Sequence, residues 1–252
     1  MTHITRFRRI LLTLLLLLPG VALSADPVAG PEGIRAVLTP HRQARLASRM
    51  EGRVLEVAVR EGEGFREGQL LVRFDCALEQ AGLDQRRAQL QGAEGRMANE
   101  ARMDQLGTGR AVDLTVAQAV VAEYKAAVAE AEERIRQCRV YAPFSGRVVV
   151  RGVHPYEYAA RGQTLLEVVD NAPPDVELLV PSRWIGQLQA GQELTLLLDE
   201  NALRCPARIT RLGARIDPGS QTVKVMAEVS GSVAGLVPGM SGQALFPGWR
   251  GE

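Results

Sequence analysis

Residues 52–75, GRVLEVAVREGEGFREGQLLVRFD, and residues 146–170, GRVVVRGVHPYEYAARGQTLLEVVD, carry one pattern twice. Gly52-Arg53-Val54 and Gly146-Arg147-Val148 open the two copies. Gly68-Gln69 with Leu71 and Gly162-Gln163 with Leu165 close them, each pair offset by 94 positions. In the first copy Leu55, Val57 and Val59, then Leu70, Val72 and Phe74, alternate with Glu56, Arg60, Arg73 and Asp75, the period of a half-buried strand. Gly62, Gly64 and Gly68 punctuate the middle, where a reversing chain needs positive φ or an absent side chain. Each copy reads as strand, glycine-rich turn, strand. A lone hairpin of this size buries no apolar face, so the halves are expected to pack together into one small sandwich.

Residues 76–138, between the copies, lack alternation and are rich in Ala, Gln, Glu and Arg, which favour helix. Cys76, Leu83, Leu90 and Met97 recur every seven residues, and so do Ala117, Tyr124, Ala131 and Cys138. Paired antiparallel, the residue numbers of the two series always add to 214, whose midpoint falls at Gly107-Thr108-Gly109, a breaker suited to a helix turn. An antiparallel two-helix hairpin follows, projecting on the order of 45 Å. A second heptad line, Leu114, Val121, Val128 and Ile135, faces Glu100, Ala93, Arg86 and Glu79 by the same pairing. These are poor apolar partners, so the stripe is expected at a contact with another subunit.

The segment after Asn171-Ala172-Pro173-Pro174 returns to strands at Val176–Val180, Leu194–Leu198, Ala207–Thr210, Val223–Val229 and Gln243–Phe246, with a short helix expected within Pro181–Ala190. Short strands with Gly and Pro turns and one helix suggest a small β-barrel. The fold class is mainly β with an α-helical hairpin: a split β-sandwich interrupted by an antiparallel coiled-coil hairpin and followed by the barrel. The expected boundaries are 26–43 for an N-terminal extended segment, 44–75 plus 139–170 for the sandwich, 76–138 for the hairpin, 171–174 for a linker and 175–248 for the barrel.

Arg6, Arg8 and Arg9 precede an apolar run from Ile10 to Leu18, then Pro19-Gly20 and the small residues Ala22, Ser24 and Ala25. That is the form of a secretory signal peptide, residues 1–25, cleaved near Ala25. The competing reading is an uncleaved anchor, but a span needs about 20 apolar residues and Pro19-Gly20 interrupts this run. No Cys follows the run to receive a lipid. Cleavage leaves 27 basic against 29 acidic residues and a formal net charge of −2, which predicts no nucleic-acid partner. In an exported chain, Cys76 and Cys138 on facing helices at the base of the hairpin argue for a disulfide, with two buried thiols as the other reading. Cys205 is left alone and is expected to be a half-buried barrel residue.

This arrangement resembles the periplasmic adaptor family, also called membrane fusion proteins, of tripartite efflux and secretion systems, of the hemolysin-secretion and resistance-nodulation-division type. The resemblance rests on Met50-Glu51-Gly52-Arg53-Val54, Gly62 to Gly68, Leu71-Val72-Arg73-Phe74-Asp75 and Tyr141-Ala142-Pro143-Phe144-Ser145-Gly146-Arg147-Val148. Gly213 to Asp217, Thr222-Val223-Lys224-Val225 and Leu236-Val237-Pro238-Gly239-Met240 look like the adaptor barrel.

The resemblance implies that the split sandwich is a lipoyl-like domain and that the hairpin reaches toward an outer-membrane exit duct. It also implies that the barrel sits near an inner-membrane transporter of the resistance-nodulation-division type, and that the protein self-associates into a ring without a catalytic centre or cofactor. Localisation in the periplasm, peripheral to the inner membrane, goes with it. Adaptors often carry a fourth, membrane-proximal domain; here the chain ends soon after the barrel, so a smaller or different grip on the transporter is expected. At the tip, Arg102 and Leu106 fit the family's duct-contacting pattern, flanked by Gly107 and Gly109, but Asp113 stands where Ser is usual. Asp113 would start the second helix as its cap, as Ser would; Arg102 and Leu106 also read simply as an i, i+4 pair.

Rival functions leave weaker traces. A lipoyl or biotinyl carrier displays a lysine at the turn between its halves, but that turn holds the hairpin and the only lysines are Lys125 and Lys224. His41 and His154 are isolated and the methionines scattered, so no metal-site spacing supports a metal-efflux adaptor. No Gly-x-Ser-x-Gly or His-Glu-x-x-His motif exists, so an enzyme is not expected. An exported coiled-coil scaffold without a transporter is the serious alternative.

Overall fold

A computed structural model describes residues 33–231 and 234–247. The expected leader, residues 1–25, lies outside the described residues. The chain runs β1 (Ile34–Thr39), β2 (Gln43–Ala47), β3 (Gly52–Val57), β4 (Gly64–Phe65), β5 (Leu70–Phe74), α1 (Ala77–Gln105), α2 (Ala111–Gln137), β6 (Arg139–Tyr141), β7 (Gly146–Arg151), β8 (Tyr158–Ala159) and β9 (Thr164–Asp170). It continues with β10 (Asp175–Pro181), a 3-10 helix (Ser182–Gln187), β11 (Glu193–Leu198), β12 (Arg204–Asp217), β13 (Thr222–Val229) and β14 (Ser241–Leu245).

The doubled sequence folds as interlocked halves. One sheet has the order β2-β9-β7-β4 and the other β6-β5-β3-β8, so each takes strands from both copies. Exchanging the copies turns one sheet into the other, which makes the sandwich pseudo-twofold. The correspondence reaches single hydrogen bonds. Gly62 N–H donates to Val148 O at 2.9 Å, and 94 residues on Tyr156 N–H donates to Val54 O at 2.7 Å. The repeated glutamine closes the same turn twice: Gln69 Oε1 accepts from Arg66 N–H and Gln163 Oε1 from Ala160 N–H, both at 3.0 Å. Gly68 and Gly162, at φ 74° and 83°, supply the left-handed residue that each turn needs. Val54, Leu71, Phe74, Val148, Leu165 and Val168 fill the core between the sheets.

The barrel corrects the expected boundaries. It closes in the order β1-β10-β13-β12-β11-β14, so its sixth strand comes from Ile34–Thr39, within the stretch expected only as an N-terminal extended segment. Residues 175–248 alone leave β10 and β14 with free edges. β1 bridges them, Ala36 standing opposite both Leu178 and Gly242, and its alternating Ile34, Ala36 and Leu38 enter the barrel core. Closure removes the unpaired edge that an open sheet would present. The third expected strand is also longer than Ala207–Thr210, because bulges after Ile209 and Leu212 let Arg204–Asp217 continue alongside β13.

The two ends of the sandwich are fastened at corresponding places. At the hairpin end Cys76 and Cys138 form a disulfide, with Cα atoms 6.2 Å apart and a sequence separation of 62. At the barrel end, Asp170, 94 positions after Cys76, is buried and accepts from Arg42 N–H at 3.2 Å and Arg42 Nε at 3.1 Å. The Arg42 guanidinium also lies 4.9 Å from the Phe144 ring centroid. The sandwich thus holds the hairpin on one side and the barrel on the other by short, fixed junctions.

Candidate functional site: the projecting hairpin and its tip

Twenty-nine residues in α1 and twenty-seven in α2 give a rod roughly 40 Å long at 1.5 Å per residue. Its seam is thin: among the described residues only Leu83, Ala93 and Val121 are buried along the two helices. Arg87 pairs with Glu132 at 2.7 Å and Lys125 with Glu94 at 3.7 Å across the hairpin, exposed contacts worth little individually. Gly82, Gly92 and Gly95 of α1 have open space where a Cβ would stand, so no packing demand offsets the roughly 1 kcal/mol each costs relative to Ala.

The stripe expected at a subunit contact is not an open face. Val121 is 4% exposed, Ala93, its partner in the antiparallel register, is 1% exposed, and Leu114, Val128 and Ile135 are half-buried. The physical reason is that a two-helix coiled coil closes on both heptad lines, and a small residue such as Ala93 lets the facing Val121 in. Ile135 instead lines a groove of about 680 Å³ with Leu46 and Tyr141, where α2 meets the sandwich. There the neighbouring Arg136 guanidinium, with a hydrogen bond and its charge, holds the Glu133 carboxyl below its usual range. Val121→Gln is therefore expected to destabilise the hairpin by about 1–3 kcal/mol, read as earlier loss of helical circular dichroism on heating. Val116→Gln, at a 58% exposed position, should leave the melt unchanged. Equal melts for both variants would return Val121 to an outward face.

At the tip, α1 ends in a Schellman turn. Gly107, at φ 70°, donates its N–H to Asp104 O at 3.0 Å, and Thr108 N–H donates to Met103 O at 3.1 Å. Thr108 Oγ1 adds a bond to the same carbonyl at 3.2 Å. Gly109 passes so close that a Cβ there would lie 2.6 Å from Asp104 N, which accounts for the second glycine of the breaker. Asp113 is not the cap of α2. Arg110 holds that position with extended backbone, and Asp113 stands three residues in, its N–H donating to Arg110 O at 2.9 Å and its carboxylate 4.0 Å from Arg110 Nε. Gly109 brings the chain back hard against α1, so the second helix begins earlier than capping preference suggests; Asp113 still places negative charge in its first turn.

The tip is apolar where water reaches it. Leu106 is 69% exposed, and Met103, Val112 and Val116, on either side of the glycine turn in sequence, are exposed too, with Arg102 at the same end. Met103, Val112 and Val116 were not singled out from the sequence; their spacing around the glycine turn is the signal that marks them. Elsewhere, among the described residues, no group of three or more His, Cys, Asp or Glu could hold a metal ion, and no helix is long and apolar enough to cross a membrane. Cys205 is fully buried in the barrel core, and burial pushes its thiol pKa up.

Comparison with known proteins agrees with this architecture. Residues 42–171 match the family model described as RND MFP, barrel-sandwich hybrid domain. Nodulation protein NolF of Rhizobium meliloti is 27% identical over 218 residues, covering 81% of this chain and 59% of that protein. Multidrug resistance protein MdtA of Pantoea ananatis is 26% identical over 236 residues, covering 84% and 58%. The chain thus spans little more than half the length of these relatives. Among solved structures, a MacA-MexA chimera containing the Pseudomonas aeruginosa MexA α-hairpin domain aligns with a TM-score of 0.77 at 17% identity, covering 84% of this chain and 77% of that one. The membrane fusion protein Spr0693 of Streptococcus pneumoniae aligns at 0.72 and 17%, covering 84% and 97%. At these identities the structural matches speak for the fold.

Proposed function

The chain belongs to the RND membrane fusion protein family, whose barrel-sandwich hybrid domain its residues 42–171 form, and from that premise we propose that it is a periplasmic adaptor subunit. It couples an inner-membrane transporter of the resistance-nodulation-division type to an outer-membrane exit duct, without catalysing a reaction, and self-associates around the conduit. It reaches the periplasm through cleavage of its leader near Ala25 and stays peripheral to the inner membrane through its partner.

One observation carries the reading: a rigidly rooted rod on which four of the five large apolar side chains exposed among the described residues, Met103, Leu106, Val112 and Val116, lie toward the far end, with Leu78 alone at the root. The disulfide and the two interlocked sheets fix the direction of the rod at its root. The glycine turn fixes the shape of its end. Leu106, with Met103, Val112 and Val116 around it, is the surface that meets the duct; Arg102 and Asp113 set its polar margin, and Gly107 and Gly109 its backbone. Relatives that bear the name multidrug resistance protein support the efflux side of the proposal.

The test is capture from cells. The full chain should retain both an inner-membrane transporter and an outer-membrane channel, whereas Leu106→Asp, with an unchanged circular dichroism spectrum because Leu106 is exposed, should lose at least 90% of the channel and keep the transporter. Capture of neither partner by the wild-type chain would favour the free-standing scaffold.

A further inference from the structure

The pseudo-twofold of the sandwich is broken at one place in a specific way. Gly62 and Gly64 of the first copy correspond, at the offset of 94, to Tyr156 and Tyr158 of the second. The backbones agree: φ is 77° at Gly62 and 72° at Tyr156, and each donates the equivalent cross-copy hydrogen bond. Gly64 stands opposite Arg147 in its ladder, as Tyr158 stands opposite Arg53. One site carries two phenol rings and its twin carries none.

Both versions are unusual. Tyr156 holds a left-handed conformation that favours glycine and that its twin meets with glycine. Tyr156 is nevertheless 69% exposed, and Tyr158 66% exposed, so the fold gains little burial from either. Strain retained on an exposed aromatic points to a role outside the chain. The twin site is bare, exposed backbone: among the described residues nothing lies within 4 Å of a Cβ built on Gly62, and the nearest atom at Gly64 is Gly146 O at 3.8 Å.

The arginines complete the match. The Arg53 guanidinium lies 5.2 Å from the centroid of its own chain's Tyr156 ring. Arg147, its counterpart, donates to Gly62 O at 3.0 Å, and among the described residues no ring lies over it. A tyrosine brought to the Gly62–Gly64 surface would meet at Arg147 the cation that Tyr156 meets at Arg53.

Resting on the self-association proposed above, we propose that Tyr156 and Tyr158 of one copy pack on the exposed Gly62–Gly64 backbone of a second copy of this chain, against Arg147. The tyrosines lie on the β8 edge of one sheet and the glycines on the β4 edge of the other, so the contact is head-to-tail and propagates into rings or chains. Two tyrosines bury roughly 300–500 Å², below the roughly 1,200 Å² of a stable pairwise interface. The tyrosine pair is the anchor of a contact that holds only when several copies close together.

The full chain tests this. Gly64→Cys in one preparation and Tyr158→Cys in another should form a disulfide-linked dimer when mixed and oxidised, while either alone should not; the double variant should give a ladder beyond the dimer. Tyr156→Gly should keep or raise the melting temperature by a few degrees, because it relieves the backbone, and weaken assembly at least tenfold. Wild-type chain that assembles while the mixed cysteines stay unlinked would overturn the contact and leave self-association standing. Wild-type chain that stays monomeric at high concentration would overturn self-association and the contact with it. A Tyr156→Gly chain that assembles normally would also overturn it.

Discussion

Alanine at both Cys76 and Cys138 is expected to lower the stability of the hairpin by about 4 kcal/mol, the chain-entropy value for a loop of this length. The effect is large because so little else holds the rod. Leu83, Ala93 and Val121 are its only buried residues among those described, and Gly82, Gly92 and Gly95 weaken α1. An isolated helix of this composition is marginal in water, so α1 and α2 depend on remaining paired at their root. The measurement is limited proteolysis with an arginine-directed protease, with and without reductant. Cleavage within α1 should accelerate at least a hundredfold on reduction and match the double alanine variant, while the barrel fragment persists. Equal protection in oxidised and reduced protein would mean that seam packing alone carries the hairpin.

Gly146→Ala should cost the sandwich about 3 kcal/mol or more and prevent it from folding at moderate temperature. A Cβ at this position would lie 2.1 Å from Val169 O and 3.1 Å from the Asp170 Cα, both backbone atoms of the adjoining strand. Gly146 sits between β4 and β9, opposite Phe65 in one ladder and Asp170 in the other, so neither neighbour can move without opening a sheet. Gly92→Ala is the control: nothing lies within 4 Å of its Cβ and the helix gains from the change. Thermal unfolding distinguishes them, with a fall of more than 10 °C for Gly146→Ala and a small rise for Gly92→Ala.

These two residues illustrate what the sequence made legible. Cys76 and Cys138 were found by position arithmetic, because an antiparallel coiled coil is a local, periodic object whose register can be counted. The repeat at offset 94 likewise revealed two equal halves, since turn glycines and alternating strands are local signals. Long-range pairing was not legible in the same way. Nothing in Ile34–Thr39 announces that it closes a barrel with strands more than 130 residues later, because alternation reports one buried face and not the partner. The interlocking of the copies was hidden for the same reason: β4 and β8 are only two residues each, too short to show a period.

The finer packing of the hairpin has an equally specific cause. Leu114, Val121, Val128 and Ile135 stand opposite Glu100, Ala93, Arg86 and Glu79 in the antiparallel register, yet Val121 and Ala93 are both buried and Ile135 lines the groove with Leu46 and Tyr141, because burial follows the size of the facing residue and the surface at the root of the rod, neither of which the heptad spacing reports. Asp favours the cap position, which makes Asp113 the expected start of α2, but Arg110 holds the cap and Gly109 packs against Asp104 just before it. At the tip, sequence could name Leu106 and the glycines; that Met103, Val112 and Val116 are exposed as well depends on how the two helices pair around the turn.

The most direct test of the coupling role is a photo-crosslinking amino acid placed at Leu106 of the full chain in intact cells, with a second copy of the experiment at Leu78, an 81% exposed residue at the root of the rod. The account predicts a crosslink to an outer-membrane channel from position 106 and none from position 78. Channel crosslinks of equal strength from both positions, or from neither, would contradict it.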